Sequence, residues 1–211
     1  MHTHSRLARE SRAELPVEAC LAMPYTRKAT LKRRRLDMSL KTRELLFTFI
    51  GTPRGQPTRE AFGRIADEEG VLLGYSTAKS FVNINYEDAM ARSIFCFVPR
   101  GDWFSSGRLF DAMAASCVPV IASDDLVDDA LPFSELIPWD MFVVRVAEQD
   151  FVENPLETLE RLRKMPATAI EERQSLVRKY AEYVDMREGD GVLWGLMRQL
   201  GVLKAERVNI R

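Results

Sequence analysis

No apolar run in this sequence approaches the roughly 20 residues that a bilayer-spanning helix needs. Residues 1–12 are polar and lack an apolar core, so the sequence does not predict a secretory signal peptide. The Asn-x-Ser/Thr acceptor of N-glycosylation, internal repeats and low-complexity segments are also missing, so none of them indicates a compartment or a repeat architecture. The composition that remains, with 46% hydrophobic and 29% charged residues among 211, is typical of a globular chain that builds a core.

An excess of charge of either sign is missing as well. Thirty basic residues against 31 acidic ones give a net charge of -1, which argues against a nucleic-acid-binding protein. The three cysteines are too few and too widely spaced to predict a metal site. Cys96 and Cys117 fall near the starts of two predicted strands, where they could be buried thiols or, if their Cα atoms lie within about 7 Å, a disulfide.

The stretch that organises the chain runs from Phe95 to Asp124 and reads FCFVPRGDWFSSGRLFDAMAASCVPVIASD. Phe95–Val98 and Val118–Ala122 have the length and apolar character of buried strands. Between them the apolar spacing from Leu109 to Ala114 predicts a helix that Ser105 or Ser106 caps. Such a strand-helix-strand unit predicts a parallel sheet with a right-handed crossover.

The loop from Arg100 to Ser106 is therefore expected at the carboxyl end of a strand and the amino end of a helix, where α/β sheets bind ligands and anions. Two guanidinium groups, two hydroxyls and one carboxylate suit a diphosphate and a ribose hydroxyl. These side chains belong to Arg100, Ser105, Ser106, Arg108 and Asp111. The alternative, with equal weight on residue types alone, is a solvated loop in which the arginines pair with Asp102 and Asp111.

Two further units flank this stretch. Leu45–Ile50 is a predicted strand, followed by a loop with Arg54 and by a helix from a Thr58 cap to about Glu69. Short elements are also predicted for Val71–Leu73 as a strand and for residues 85–91 as a helix, and a further strand for Phe142–Val146. From Pro155 to Leu200 the sequence predicts amphipathic helices, the first of which buries Leu156, Leu159 and Leu162.

The central stretch closely resembles the signature of the exostosin family of glycosyltransferases, FCL-PRGD-S-RL-DA-GCIPVI-SD. The flanking LLFTFIGTPR and LPFSELIPWDMFVVRVAEQD match as well, so the resemblance covers roughly Leu45–Asp150, about half of the chain. The chain departs from the family at Ser116, where the family has glycine before Cys117, in a tight helix-to-strand turn.

The resemblance implies an α/β fold: a Rossmann-like parallel sheet with flanking helices, the C-terminal half of a GT-B enzyme. It implies transfer of a sugar from a nucleotide diphosphate sugar, a UDP-sugar, to a glycan acceptor with inversion, without a cofactor. It further implies that Arg54, Asp124 and Glu148 border the donor, although exposed arginine and glutamate side chains are common in such loops. The Asp pairs of residues 124–129 could bind a divalent cation, but we interpret them as a solvated helix start, since GT-B enzymes often need no metal.

The predicted organisation is a leader over residues 1–42, a nucleotide-sugar-binding domain over 43–200 and a tail over 201–211. The basic run Thr30–Arg35 is interpreted as solvated leader, the alternatives being a nuclear signal or a phosphate-binding arm. Leu21–Tyr25 resembles the end of the family's amino-terminal domain, so the leader could also be a remnant of that domain.

The family's location is the Golgi, with an amino-terminal anchor that this chain does not show. We expect the catalytic base and the acceptor groove in a domain or partner glycosyltransferase subunit outside this chain. The competing hypothesis is a non-catalytic nucleotide-binding remnant, or a partner module of another glycosyltransferase.

Overall fold

The computed structural model describes residues 22–24, 40–52, 55–74, 85–101, 105–126, 130–185 and 190–199. Within them lies one five-stranded parallel sheet with the strand order β2-β1-β3-β4-β5. The strands are β1 (Leu45–Ile50), β2 (Val71–Gly74), β3 (Ser93–Pro99), β4 (Val118–Ala122) and β5 (Val144–Arg145). The register pairs Phe47 with Phe95 and Phe97 with Val120. The α/β fold with a Rossmann-like parallel sheet and flanking helices is confirmed.

Helices connect and follow these strands. The helices before β4 are α1 (Pro57–Phe62), α2 (Tyr86–Ala91) and α3 (Gly107–Ala114), with short 3₁₀ turns at Leu40–Thr42 and Gly63–Ile65. The later ones are α4 (Trp139–Phe142), α5 (Glu148–Glu153), α6 (Pro155–Arg163), α7 (Ala167–Val184) and α8 (Asp190–Gln199). No helix in the described part of the chain is long and apolar enough to cross a membrane.

The two faces of the sheet carry different cores because alternate residues of a strand point to opposite faces. Phe95 and Phe97 belong to an aromatic core with Phe47, Phe62 and residues of α5 and α6. The ring centroids of Phe97 and of Phe151 in α5 are 4.5 Å apart. On the opposite face, Val98 packs with α3, α4 and α7, and Cys96 lies in a smaller cluster with Cys117.

Cys96 and Cys117 form a disulfide, with their Cα atoms 5.8 Å apart. The bridge ties the middle of β3 to the residue that precedes β4, and both cysteines are fully buried. Of the two alternatives that the sequence leaves open, the structure has the bridge.

Four expectations about local structure are wrong. Thr58 does not cap α1, because the helix begins at Pro57 and Gln56 is its N-cap residue. The helix ends at Phe62 and is followed by a 3₁₀ turn at Gly63–Ile65, so it does not extend to Glu69. Phe142 belongs to α4, and β5 covers only Val144–Arg145 because it pairs with β4 over two residues. Leu156 is 43% exposed, since the buried side chains of α6 begin at Pro155 and continue at Thr158 and Leu159.

Ser116 is the position at which the chain departs from the exostosin pattern, and the structure shows its backbone conformation. It has a φ of 52°, a left-handed conformation that favours glycine. Its N–H donates to the carbonyl of Met113 at 3.0 Å, and the N–H of Cys117 donates to Ala112 at 2.9 Å. This pair of bonds is the Schellman ending of α3. The turn therefore keeps its geometry with serine, at the cost of a strained backbone.

Candidate functional site

The amino end of α3 lies at the carboxyl edge of the sheet, behind the end of β3. Ser106 caps the helix, because its Oγ accepts a hydrogen bond from the N–H of Arg108 at 3.3 Å. The prediction of a cap at Ser105 or Ser106 is thereby confirmed for Ser106, and Ser105 lies half-buried beside it. Gly101 is buried at the carboxyl end of β3. An anion at this end of the helix would meet backbone N–H groups and a favourable dipole.

Arg108 extends from the first turn of α3 towards the end of β1. Its guanidinium lies 4.9 Å from the centroid of the Phe49 ring, and its Nη2 donates to the carbonyl of Ile50 at 2.9 Å. A Cβ on Gly51 would lie 2.8 Å from the same Nη2, so the glycine makes room for the guanidinium. The Nε of Arg108 is buried and has no hydrogen-bond acceptor among the described residues. Arg108 is thus fixed on one side of the helix start.

Arg100 extends to the other side, over the ends of β4 and β5. Its Nη1 lies 2.6 Å from Oδ2 of Asp125 and 3.8 Å from Oε1 of Glu148. Its backbone is held on both sides, by its N–H to the carbonyl of Ala122 at 2.9 Å and by Nε of Arg59 to its own carbonyl at 3.2 Å. The two arginines predicted for one diphosphate therefore flank the start of α3 from opposite sides.

Asp124 and Glu148 exchange two hydrogen bonds between their backbones and side chains. The N–H of Asp124 donates to Oε1 of Glu148 at 2.9 Å, and the N–H of Glu148 donates to Oδ1 of Asp124 at 3.0 Å. This exchange joins the end of β4 to the first residue of α5, where a carboxylate also favours the helix dipole. Both residues lie at the carboxyl edge, as expected, and their contact with a sugar stays a prediction.

Asp111 is 9% exposed, and its Oδ2 accepts a hydrogen bond from the hydroxyl of Tyr86 at 3.1 Å. Burial and the charge of Asp111 raise the pKa of the Tyr86 hydroxyl, while Arg108 lowers it. Sequence reasoning missed Tyr86, which begins α2; the signal was Asn85, whose side chain caps that helix. The ribose contact of Asp111 stays a prediction.

Four further residues of the sequence predictions lie outside the described residues: Arg54, Asp102, Asp128 and Asp129. Among the residues that are described, no group of three or more His, Cys, Asp or Glu side chains could hold a metal ion. The described carboxyl edge therefore combines a helix amino end, two arginines and the carboxylates that accompany them.

The profile of the exostosin GT47 domain matches residues 8–162 of the chain. The chain belongs to the exostosin GT47 family. It is 41% identical over 70 residues to the "Exostosin-1 homolog" of Caenorhabditis elegans, covering 33% of this chain and 18% of that protein. It is 44% identical over 92 residues to the "Probable beta-1,4-xylosyltransferase IRX10" of Arabidopsis thaliana, covering 44% of this chain and 20% of that protein.

A longer and weaker similarity reaches beyond the central stretch. The "Probable arabinosyltransferase ARAD1" of Arabidopsis thaliana is 27% identical over 184 residues, which cover 85% of this chain and 40% of that protein. In these three matches the chain spans between 18% and 40% of the relative's length. The family prediction made from the central signature is confirmed, and the two relatives from Arabidopsis thaliana carry the names of glycosyltransferases.

Proposed function

We propose that this chain is the donor-binding part of an exostosin-type glycosyltransferase with the GT-B arrangement. The donor is a nucleotide diphosphate sugar, a UDP-sugar, and the acceptor is a glycan. The observation that carries the proposal is the amino end of α3 at the carboxyl edge of a parallel sheet, with Ser106 as its cap and Arg108 fixed beside it. Family membership supports glycosyl transfer as the chemistry.

In this proposal the helix end and Arg108 receive the diphosphate. As the bond from the anomeric carbon to the diphosphate breaks, negative charge grows on the leaving phosphate oxygen. Preorganised donors at that position lower the barrier more than any other single group. The N–H groups of α3, the hydroxyls of Ser105 and Ser106 and the guanidinium of Arg108 are donors of this kind.

In this proposal Arg100 also binds the diphosphate, after it leaves its ion pair with Asp125. Its ion pair with Asp125 is exposed, with side-chain exposures of 37% and 41%, and such pairs contribute only about 0.2–1 kcal/mol. A charge-assisted hydrogen bond to a phosphate oxygen contributes about 1.5–3 kcal/mol. The phosphate is therefore the stronger partner, and it displaces Asp125 from Arg100 when the donor binds.

Around this centre, Asp111 takes a ribose hydroxyl, and Asp124 and Glu148 border the sugar. Reaction with inversion requires an acceptor hydroxyl to attack the anomeric carbon while a base removes its proton. We assign that base to no residue of this chain. The Cys96–Cys117 bridge supports an oxidising compartment and hence the Golgi lumen.

Calorimetric titration with UDP tests this function. The wild-type chain is expected to bind UDP, and Arg108→Ala to bind it roughly tenfold more weakly or worse, because one charge-assisted contact is lost. Arg92→Ala is the matched control, since Arg92 lies at the far end of α2 in an exposed pair with Glu44. Equal UDP affinity in wild type and Arg108→Ala, with both chains folded, would remove Arg108 from the site.

A further inference from the structure

Tyr86 stands at the carboxyl edge because α2 runs antiparallel to the strands and begins there. The start of that helix is fixed by Asn85, whose Oδ1 accepts from the N–H groups of Glu87 at 3.0 Å and Asp88 at 3.2 Å. The backbone of Tyr86 therefore has little freedom.

The ring of Tyr86 is fixed as well. It packs against a small cluster of buried side chains from α2, β3, α3 and the turn after α3. The members of this cluster are Met90, Cys96, Ala112, Ala115 and Cys117. Since Cys96 and Cys117 are joined by the disulfide, the surface under the ring is held together by a covalent bond. Ring and backbone together determine where the hydroxyl lies.

The hydroxyl lies between two groups of the candidate site. It donates to Oδ2 of Asp111 at 3.1 Å, and Arg108 is close enough to influence its protonation. Burial and Asp111 raise the pKa of Tyr86, so the hydroxyl keeps its proton and remains a donor at neutral pH.

Arg108 and Asp111 are three positions apart on α3, the spacing at which a guanidinium and a carboxylate on one helix face can pair. In the structure Arg108 instead donates to the carbonyl of Ile50 and lies over the ring of Phe49. Asp111 accepts from Tyr86. The hydrogen bond from Tyr86 thus engages Oδ2 of Asp111 and fixes the orientation of this carboxylate beside the arginine.

We propose that Tyr86 is a positioning residue of the donor site, whose hydroxyl keeps the carboxylate of Asp111 from pairing with Arg108. The guanidinium then keeps its charge available for the diphosphate. This inference rests on the proposed function, since it assigns Arg108 to the diphosphate. It goes beyond the proposed function because it names a residue, Tyr86, that does not contact the donor but that controls whether the charge of Arg108 is available to the diphosphate.

The test compares Tyr86→Phe with the double variant Tyr86→Phe/Asp111→Asn in the full chain. The probes are UDP and inorganic pyrophosphate, the second of which has no ribose for Asp111 to contact. Tyr86→Phe keeps the ring and is expected to bind both probes about fivefold more weakly, because the Asp111 carboxylate is then free to turn and compete with the probe for Arg108. The double variant is expected to recover pyrophosphate binding, because a neutral amide in place of the Asp111 carboxylate cannot form an ion pair with the guanidinium.

The control is Tyr183→Phe, in which the ring that loses its hydroxyl packs against Tyr180 and Trp194, in α7 and α8. It is expected to bind both probes as the wild type does. A purely structural tyrosine would give a double variant no better than Tyr86→Phe, and that result would overturn the inference, as would wild-type pyrophosphate affinity in Tyr86→Phe. If the wild-type chain binds neither probe, the proposed function itself is wrong, and the inference is wrong with it.

Discussion

The two edges of the sheet use arginine in opposite ways. At the amino edge, Arg43 is 7% exposed and donates to the carbonyls of Ser93, Met90 at 3.4 Å and Ala115 at 3.0 Å. At the carboxyl edge, Arg100 and Arg108 are half-buried; Arg100 pairs with the exposed carboxylate of Asp125, and Arg108 donates to one carbonyl. Arg43 therefore stabilises the fold, whereas in our proposal the other two arginines provide donors for a ligand.

The difference follows from the direction of the chain. Ser93 opens β3, while Met90 and Ala115 lie at the carboxyl ends of α2 and α3, where backbone carbonyls have no partner within the helix. A buried cation satisfies such carbonyls and the helix dipoles together. Burial and the charge of Arg178 lower the pKa of Arg43 to about 10, so it remains protonated at neutral pH. At the opposite edge the helix starts present N–H groups, which attract anions instead.

The largest effect is expected for Arg43→Met, which leaves several buried carbonyls without a donor. We expect a loss of about 3 kcal/mol in the free energy of unfolding, measured by urea denaturation. The affinity for UDP, measured on the remaining folded chain, is expected to be unchanged. If Arg43→Met is as stable as the wild type, or if it loses UDP binding while still folded, the two edges of the sheet do not differ in the role of their arginines. Arg92→Met, at the same edge but in an exposed pair, is the control.

An intermediate effect, of opposite sign, is expected for Ser116→Gly at the carboxyl end of α3. Glycine adopts a φ of 52° without strain, so the variant should be about 1 kcal/mol more stable in urea. Ser106→Gly at the other end of the helix should not be stabilising, because Ser106 has an extended backbone and caps the helix with its side chain. Equal stability of Ser116→Gly and wild type would show that the turn is relaxed with serine.

The smallest effect is expected for Asp125→Asn. The change removes the carboxylate at 2.6 Å from Arg100 and leaves the guanidinium more available, so UDP should bind about two- to threefold more tightly. The gain should disappear at high salt, where exposed charges are screened. Weaker UDP binding by Asp125→Asn would mean that the ion pair positions Arg100 instead of competing with the phosphate.

The fold could be predicted wherever a local pattern was decisive. Apolar runs gave the bounds of β1 and β4, and they gave the middle of β3, which begins at Ser93 rather than at Phe95 and ends at Pro99 rather than at Val98. The β5 prediction was wrong because Phe142 and Val143 are apolar, as strand residues are, although Phe142 is the last residue of α4 and Val143 is its C-cap. Thr58 was wrongly chosen as a cap because threonine is common there, whereas Pro57 already begins α1. A single sequence does not distinguish these cases, since tertiary packing decides them.

The candidate site was less predictable than the fold. The residue types and the helix start could be named from the central motif, and Ser106 is the cap. The directions of Arg100 and Arg108 could not be predicted, because they depend on partners 25 and 58 residues away in sequence, Asp125 and Ile50. Tyr86 was missed for the same reason, since only the folded chain brings it to Asp111.

The most direct test of the carboxyl edge as the donor site is a UDP titration followed by amide NMR on the labelled chain. We predict that the largest shift changes fall on the N–H groups at the start of α3, from Ser106 to Leu109, and on the N–H of Gly51. Residues of the amino edge, such as Ser93 and Ser116, should not shift. Shift changes centred on the amino edge, or no saturable change at the start of α3, would contradict the account.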